Sequence, residues 1–288
     1  MAVNEDKKFG NWFKDNPKPN EEWYESDINI HLKGDARSFW EQYTGLKGDA
    51  LENHLYPLRD KAFGMGEYPC VGTWDFLQYR IPMVVHDYDA LITRLKHNEK
   101  VLDIGCCFGQ VLRHLLVDSG APSENMYATD LHPQLWELGF ELFCDRERMK
   151  AHFIAGDVLS ISNPLWKLDV KFGIVLAEQF LHLFSWNQNK SILRQLVTNL
   201  TKPGTQVIGF QTANVNAQEY KTQWGHMYFH NVESLEKLWK EVGEETGTSW
   251  TVDAKLLSVS DAGYPKKFQD WFGSSGRYIF FVITRNED

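Results

Sequence analysis

The hydrophobic pattern changes character once along the chain, near Glu99. Beyond that point, short runs rich in Val and Ile alternate with stretches of helical period. "KVLDIGC" (100–106), "MYATDL" (126–131), "AHFIAGDV" (151–158), "VKFGIVLAEQF" (170–180) and "TKPGTQVIGFQ" (201–211) read as strands. "FGQVLRHLLVDSG" (108–120), "PQLWELGFELFCDRERM" (133–149) and "SWNQNKSILRQLVTNL" (185–200) read as the intervening helices. Gly120 closes the first, Pro133 opens the second and Ser185 caps the third. One more helix, "VESLEKLWKEVGEETG" (232–247), precedes two last strands, "TVDAKLLSVS" (251–260) and "RYIFFVITR" (277–285). Alternation of this kind implies parallel strands joined by right-handed crossovers. The prediction is an α/β fold with a doubly wound, mostly parallel seven-stranded sheet. The last two strands have no strong helix between them and are expected to pair antiparallel.

Upstream the pattern is different. Residues 1–35 are polar, as in "KDNPKPNEEWYES" (14–26), and read as an arm that Trp12, Phe13, Trp23 and Tyr24 could clip to the body. Residues 36–98 read as helices: "DARSFWEQYTG" from a cap at Asp35 to Gly45, then "GDALENHLYPLRDKAFGMG" with an interruption near Pro57. "TWDFLQYRIPMVVHDYDALITRLKHN" continues them, broken at Pro82. This segment is expected to form a helical lid over an α/β domain spanning 99–288.

Composition narrows the function. The formal net charge of −9, with no basic run beyond Lys266-Lys267, argues against a nucleic-acid partner. Aromatic residues make up 14% of the chain, a supply that suits either a Trp-rich core or a pocket for a bulky apolar ligand. Four cysteines, none in a C-x-x-C pair, point to a reduced compartment and away from zinc, so no metal is expected. No apolar run is long enough to span a bilayer and the start lacks a signal-peptide core, so a cytoplasmic protein without membrane insertion is expected. A homodimer is left open.

The chemistry concentrates at "VLDIGCCFGQ" (101–110), a strand running into a glycine turn. In a doubly wound sheet, ligands bind at the carboxyl ends of the strands. A dinucleotide site wants G-x-G-x-x-G, but Cys107 and Gln110 occupy its second and third glycine positions. S-adenosylmethionine has no pyrophosphate to press against the backbone. Its amino and carboxylate groups need a turn backbone and a nearby acid, as Asp103, Gly105 and Gly109 provide, with Cys107 as a small replacement for the central glycine. Asp130 ends the second strand, where a carboxylate can accept from both ribose hydroxyls. Asp157 ends the third, where it can accept from the adenine amine while Val158 donates its backbone N–H. Either acid alone could be a helix cap. Acids on three successive strands after a glycine turn point to S-adenosylmethionine. Cys106 and Cys107 read as small buried side chains rather than reactive thiols.

These motifs resemble the class I S-adenosylmethionine-dependent methyltransferases, and more specifically a fungal group that methylates a carboxyl group on farnesylated aromatic polyketide acids in meroterpenoid biosynthesis. The resemblance is carried by "LRDKAFGMGEYPCVGTWDFL" (58–77), "VLDIGCCFGQ", "APSENMYATDLHPQLWELGFELFCDR" (121–146), "FLHLFSW" (180–186), "NVNAQEY" (214–220) and "WKEVGEETGTSW" (239–250). It runs from about His54 to the C-terminus and implies cofactor contacts at Asp130-Leu131 and Asp157-Val158.

Methyl transfer is an in-line displacement in which positioning dominates. A carboxylate acceptor is ionised near neutral pH and needs no base, whereas a phenol or alcohol does. Glu178, Gln179 and His182 leave the fourth strand over the cofactor, with Glu178 grouped among the cofactor residues and Gln179 among those for substrate. His182 is the candidate base, although a histidine between two leucines is also an ordinary core residue. His226 and His230 follow the fifth strand, where substrate loops occur. Arg59 or Lys61 could pair with a substrate carboxylate. Tyr68 joins them, and Trp74 and Phe76 would be apolar walls. The leading expectation is an enzyme forming a methyl ester on a small-molecule acid. Methylation of a phenol or hydroxyl, or a catalytically silent binding module, is the alternative.

Overall fold

Seven of the apolar runs pair into one sheet in the order β3-β2-β1-β4-β5-β9-β8. The strands are β1 (Val101–Ile104), β2 (Met126–Asp130), β3 (His152–Ala155), β4 (Phe172–Leu176), β5 (Thr201–Asn214), β8 (Trp250–Leu257) and β9 (Gly276–Arg285). β1 to β5 run parallel, while β9 lies antiparallel to both β5 and β8. The helices are α1 (Gly34–Thr44), α2 (Asp49–Gly66), α3 (Pro69–Gly72), α4 (Ile81–Val84), α5 (Tyr88–Lys96), α6 (Gln110–Ser119), α7 (Pro133–Phe143), α8 (Trp186–Leu200) and α9 (Val232–Thr246). This is a computed structural model describing residues 23–66, 68–222, 225–265, 268–270 and 273–287. Trp12, Phe13 and the Lys266-Lys267 pair lie outside the described residues.

Successive side chains on a strand point to opposite faces, and the two faces build two cores. Val101, Ile174, Ile208 and Phe210 pack with Leu91, Leu95, Val111 and Leu115 of α5 and α6. Leu102, Ile104, Val175 and Val207 pack with Ile192, Leu196, Leu238 and Trp239 of α8 and α9. All four residues of β1 are buried, as expected of a central parallel strand covered on both sides. A third core joins the N-terminal helices to the rest: Trp40, Leu51, Leu55, Val71 and Trp74 pack on Phe108 of the glycine turn and on Leu135, Leu138, Leu142 and Phe143 of α7.

Several expectations are corrected. Pro57 does not interrupt its helix, which runs unbroken from Asp49 to Gly66; a proline removes one backbone donor, and tertiary packing of Leu51, Leu55 and Ala62 on one face holds the turn together. Pro82 sits in the first turn of α4, where its missing N–H is no loss, so it starts a helix rather than breaking one. Asp35 lies inside the first turn of α1 instead of capping it. The region after the fifth strand that carries His226, expected where substrate loops occur, is not only loop: Gln218–Thr222 (β6) and Gly225–Phe229 (β7) form an antiparallel ribbon. The arm is clipped as expected where it is described. Trp23 is buried, and the Tyr24 hydroxyl donates to Asp60 at 2.7 Å.

Candidate cofactor and active site

The turn after β1 is held by its own backbone and by β2. The N–H groups of Gly105 and Cys106 donate to the Thr129 carbonyl at 2.9 and 3.2 Å, and Gly109 N–H donates to Cys106 O at 2.7 Å. Gly105, Cys107 and Gly109 all adopt left-handed backbone, with φ of +75°, +51° and +70°. For Gly105 the absence of a side chain is doubly required, because a Cβ would lie 2.5 Å from the Phe180 ring. Cys107 stands in a conformation that glycine adopts freely, so size is only part of its account; the rest is strain of about 1–2 kcal/mol. Burial drives the Cys106 and Cys107 thiols far above their usual range, which fits inert side chains rather than nucleophiles. Cys107→Gly is therefore expected to keep cofactor binding within about threefold and to change stability by less than about 1 kcal/mol, relief of strain being offset by backbone entropy. Chemical denaturation and calorimetry check both, and abolished binding in a folded variant would give the thiol a direct role.

Asp130 ties the turn to β2. Its Oδ2 accepts from Cys107 N–H and its Oδ1 from His132 N–H, each at 2.9 Å. Burial raises its pKa while those two N–H groups oppose the rise. Asp157 follows β3 on the neighbouring strand, exposed, with Oδ1 accepting from Leu159 N–H at 2.8 Å. Val158 beside it is buried, and Leu131 presents an exposed apolar face, 59% accessible, directly after Asp130. Asp103 is 2% exposed with an Oδ2 that has no partner among the described residues. Burial, with Asp130 next, pushes its carboxyl up to about 8. Glu178 has a sealed, unpartnered Oε1; burial, then Asp103, push it up to about 8 against the pull of Arg80.

The expected substrate residues divide. Tyr68 comes to the site: burial, then Asp130, Cys70 and Cys107, push its phenol up to about 12, and its ring lies 5.9 Å from that of His132. Arg59 does not. Its guanidinium is buried between the rings of Tyr24 and Trp74, 4.0 Å from each, and donates to the carbonyls of Glu25 and Gly72 and to Asp60. It clamps the N-terminal segment, and the substrate ion pair expected of it is corrected. Lys61 pairs with Glu141 at the surface. Trp74 is fully buried with its indole N–H on Glu25 O, a core residue rather than a pocket wall, and Phe76 is buried beside it. Gln179 is a bracket: Oε1 accepts from Thr212 N–H at 2.9 Å, and Nε2 donates to the Tyr264 hydroxyl at 3.3 Å. His226 lies on the exposed β6–β7 ribbon, paired with Glu219 at 2.7 Å.

His182 sits in a 3-10 turn after β4, buried, with Nδ1 unpartnered. Burial and then His230 hold its imidazole down at about 3. His230 is fully buried, with Nδ1 3.0 Å from the Ser234 hydroxyl. The sequence reading missed a buried polar network: Asp75 pairs with Arg80 at 2.8 Å and accepts from the Tyr264 hydroxyl at 2.8 Å, which leads on to Gln179. It also missed Arg113 and Asp145, a two-pronged ion pair behind the turn at 2.7 and 3.0 Å.

Comparisons with known proteins identify the family and the fold. A family profile described as "Meroterpenoid methyltransferase N-terminal domain" matches residues 23–77, and one described as "Methyltransferase domain" matches 101–204. The O-methyltransferase phiE of a fungal species is 33% identical over 277 residues, 91% of this chain and 92% of that protein. The chain belongs to the fungal meroterpenoid methyltransferases. The Asnovolin E/Chermesin D methyltransferase nvfJ of Aspergillus novofumigatus is 34% identical over 87% of this chain and 88% of its own length. Among solved structures, the 1,6-didemethyltoxoflavin-N1-methyltransferase of Burkholderia thailandensis, with S-adenosylhomocysteine bound, shares the fold at TM-score 0.52 and 16% identity, over 83% of this chain and 91% of that one. This methyltransferase uses S-adenosylmethionine, and its residues fit that cofactor. Asp103 Oδ2 has no partner among the described residues and can take a cationic group, Gly105 and Gly109 add no side chain to a turn that Phe180 and Trp136 already crowd, and Leu131 offers an uncovered apolar face. Among the described residues, no helix is long and apolar enough to cross a membrane.

Proposed function

We propose that this methyltransferase esterifies a carboxyl group of a small-molecule acid of the meroterpenoid class, with the N-terminal helices that pack on the glycine turn and α7 covering the substrate side. The bound cofactor supplies the electrophilic methyl group. Asp103 and the turn hold its methionine end, Asp130 its ribose, and Asp157, Val158 and Leu131 its adenine. Tyr68 belongs to the substrate side and Glu178 to the cofactor side. The observation that carries the reading is the state of His182. A ring buried and held neutral down to about pH 3 is a poor base, and an acceptor that arrives as an anion needs none.

The test is single-turnover methyl transfer at saturating cofactor to a panel of aromatic polyketide acids, with alkaline hydrolysis of the product. A methyl ester releases methanol, and the rate should stay flat through pH 6.5. His182→Gln should lose about tenfold or less, through substrate placement. A methylated product stable to alkali, with a basic limb that His182→Gln or Glu178→Gln removes, would replace this reading with hydroxyl methylation, for which the raised Glu178 carboxyl would be the base.

A further inference from the structure

We propose that Glu178 is a charge selector, which with Asp103 distinguishes the sulfonium donor from its spent thioether product. This rests on the β1 turn being the S-adenosylmethionine site and deepens it by giving the second buried acid a purpose.

β1 and β4 are adjacent, with Asp103 opposite Leu176. Glu178 lies two residues beyond Leu176, so the strand period puts both acids on the same face of the sheet, at its carboxyl edge. Asp103 Oδ2 and Glu178 Oε1 are both sealed from solvent and unpartnered among the described residues. The groups around Asp103 are Asp130, Cys106 and Cys107. Those around Glu178 are Arg80, Asp75 and Tyr79. Arg80 is the cation among them, and it is already engaged. It pairs with Asp75, donates to Ala262 O at 3.3 Å and stacks 4.2 Å from the Tyr264 ring.

Asp75 offsets part of the pull of Arg80, which leaves two carboxyl groups in one buried patch with little counter-charge. Neither ionises readily alone in such a place, and like charge makes the second harder than the first. A ligand carrying positive charge changes that. The donor has two positive centres, an ammonium and a sulfonium; the product keeps the ammonium and has a neutral sulfur. Asp103, beside the turn, faces the ammonium that both share. Glu178, on the next strand, answers the sulfonium, which only the donor has. Donor binding then expels a proton from the acid pair. Once the methyl group has left, Glu178 has lost its partner and takes a proton back, which favours release. Because the free pair holds its protons up to about pH 8, the donor's advantage over the product should rise with pH below that point, by up to about tenfold per unit for the one proton that Glu178 gives up. Product affinity should rise less.

Titration calorimetry on the full chain tests this, run from pH 6.5 to 8.5 in buffers of different ionisation heat. The probes are S-adenosylmethionine, S-adenosylhomocysteine and sinefungin, which carries an amine where the donor carries its methyl. The wild type should release about one proton more with the two cationic ligands than with the thioether. Glu178→Gln should erase that difference, weaken the cationic ligands by about tenfold or more and leave the thioether within about threefold. Equal proton release for all three in the wild type overturns the proposal even if the variant misfolds. Equal weakening of all three by Glu178→Gln overturns it as well. A wild type that binds none of them overturns the cofactor assignment itself. Loss of all three in Asp130→Ala, beside selective loss in Glu178→Gln, upholds both.

Discussion

Asp130→Ala is expected to weaken S-adenosylmethionine binding by about 100-fold, the equivalent of about 3 kcal/mol. Each carboxylate oxygen already accepts one backbone N–H, Cys107 on Oδ2 and His132 on Oδ1, both at 2.9 Å. Each oxygen keeps a second lone pair for a ribose hydroxyl. The alanine variant therefore loses the ribose acceptors and also the anchor that holds Cys107 at φ +51°. Asp130→Asn separates the two losses. Its amide oxygen can replace one acceptor and its NH2 group cannot replace the other, so an intermediate loss of about tenfold is expected. Calorimetry gives the affinities and thermal melting reports the unpinned turn. Unchanged affinity in the alanine variant would remove Asp130 from the ribose site.

The parts of this protein that could be read from its sequence are those written in local patterns. Period-2 and period-3.6 stretches placed the seven strands and their crossover helices, because each buries a face its own residues define. Asp103 lies on β1 with Gly105 and Gly109 in the turn after it, Asp130 ends β2 and Asp157 follows β3 by two residues, so local spacing exposes them. Arg59 shows where such reading can mislead and how it could have been avoided. Leu51, Leu55, Arg59 and Ala62 recur at helical spacing, and all four are buried. The stripe itself said that Arg59 faces inward, where a guanidinium needs carbonyls and aromatic faces rather than a ligand. His226 carried a similar signal, since Tyr220, Thr222, Met227 and Phe229 alternate inward along the β6–β7 ribbon and leave His226 outside.

The buried polar network had no such signature. Asp75 and Tyr264 are 189 residues apart, yet share a hydrogen bond. Only the assembled sheet brings the N-terminal segment, the end of β4 and the loop before β9 to one place.

Arg113→Met should produce the largest loss of stability, about 3–5 kcal/mol. Arg113 and Asp145 are both fully shielded from solvent. Nε and Nη2 grip the carboxylate at 2.7 and 3.0 Å, and Nη1 donates to the Phe108 and Gly109 carbonyls at 2.5 and 3.2 Å. The Tyr43 hydroxyl, from α1, donates to the same carboxylate at 2.8 Å. Methionine fills the space beside Phe143, 4.3 Å from the guanidinium, but leaves Asp145 as a buried charge with one hydroxyl for company. For a chain of this length the midpoint of thermal unfolding should fall by roughly 10 °C. Adding Asp145→Leu should restore much of the stability, since an apolar pair leaves no stranded charge. It should not restore cofactor affinity. The Phe108 and Gly109 carbonyls still lack their donor, and the turn they belong to carries the ligand-facing backbone. Urea unfolding and calorimetry on the single and double variants test the two halves separately. A single variant within about 1 kcal/mol of wild type would show that the pair does not hold the turn, and a double variant with wild-type affinity would show that the turn holds its shape without Arg113.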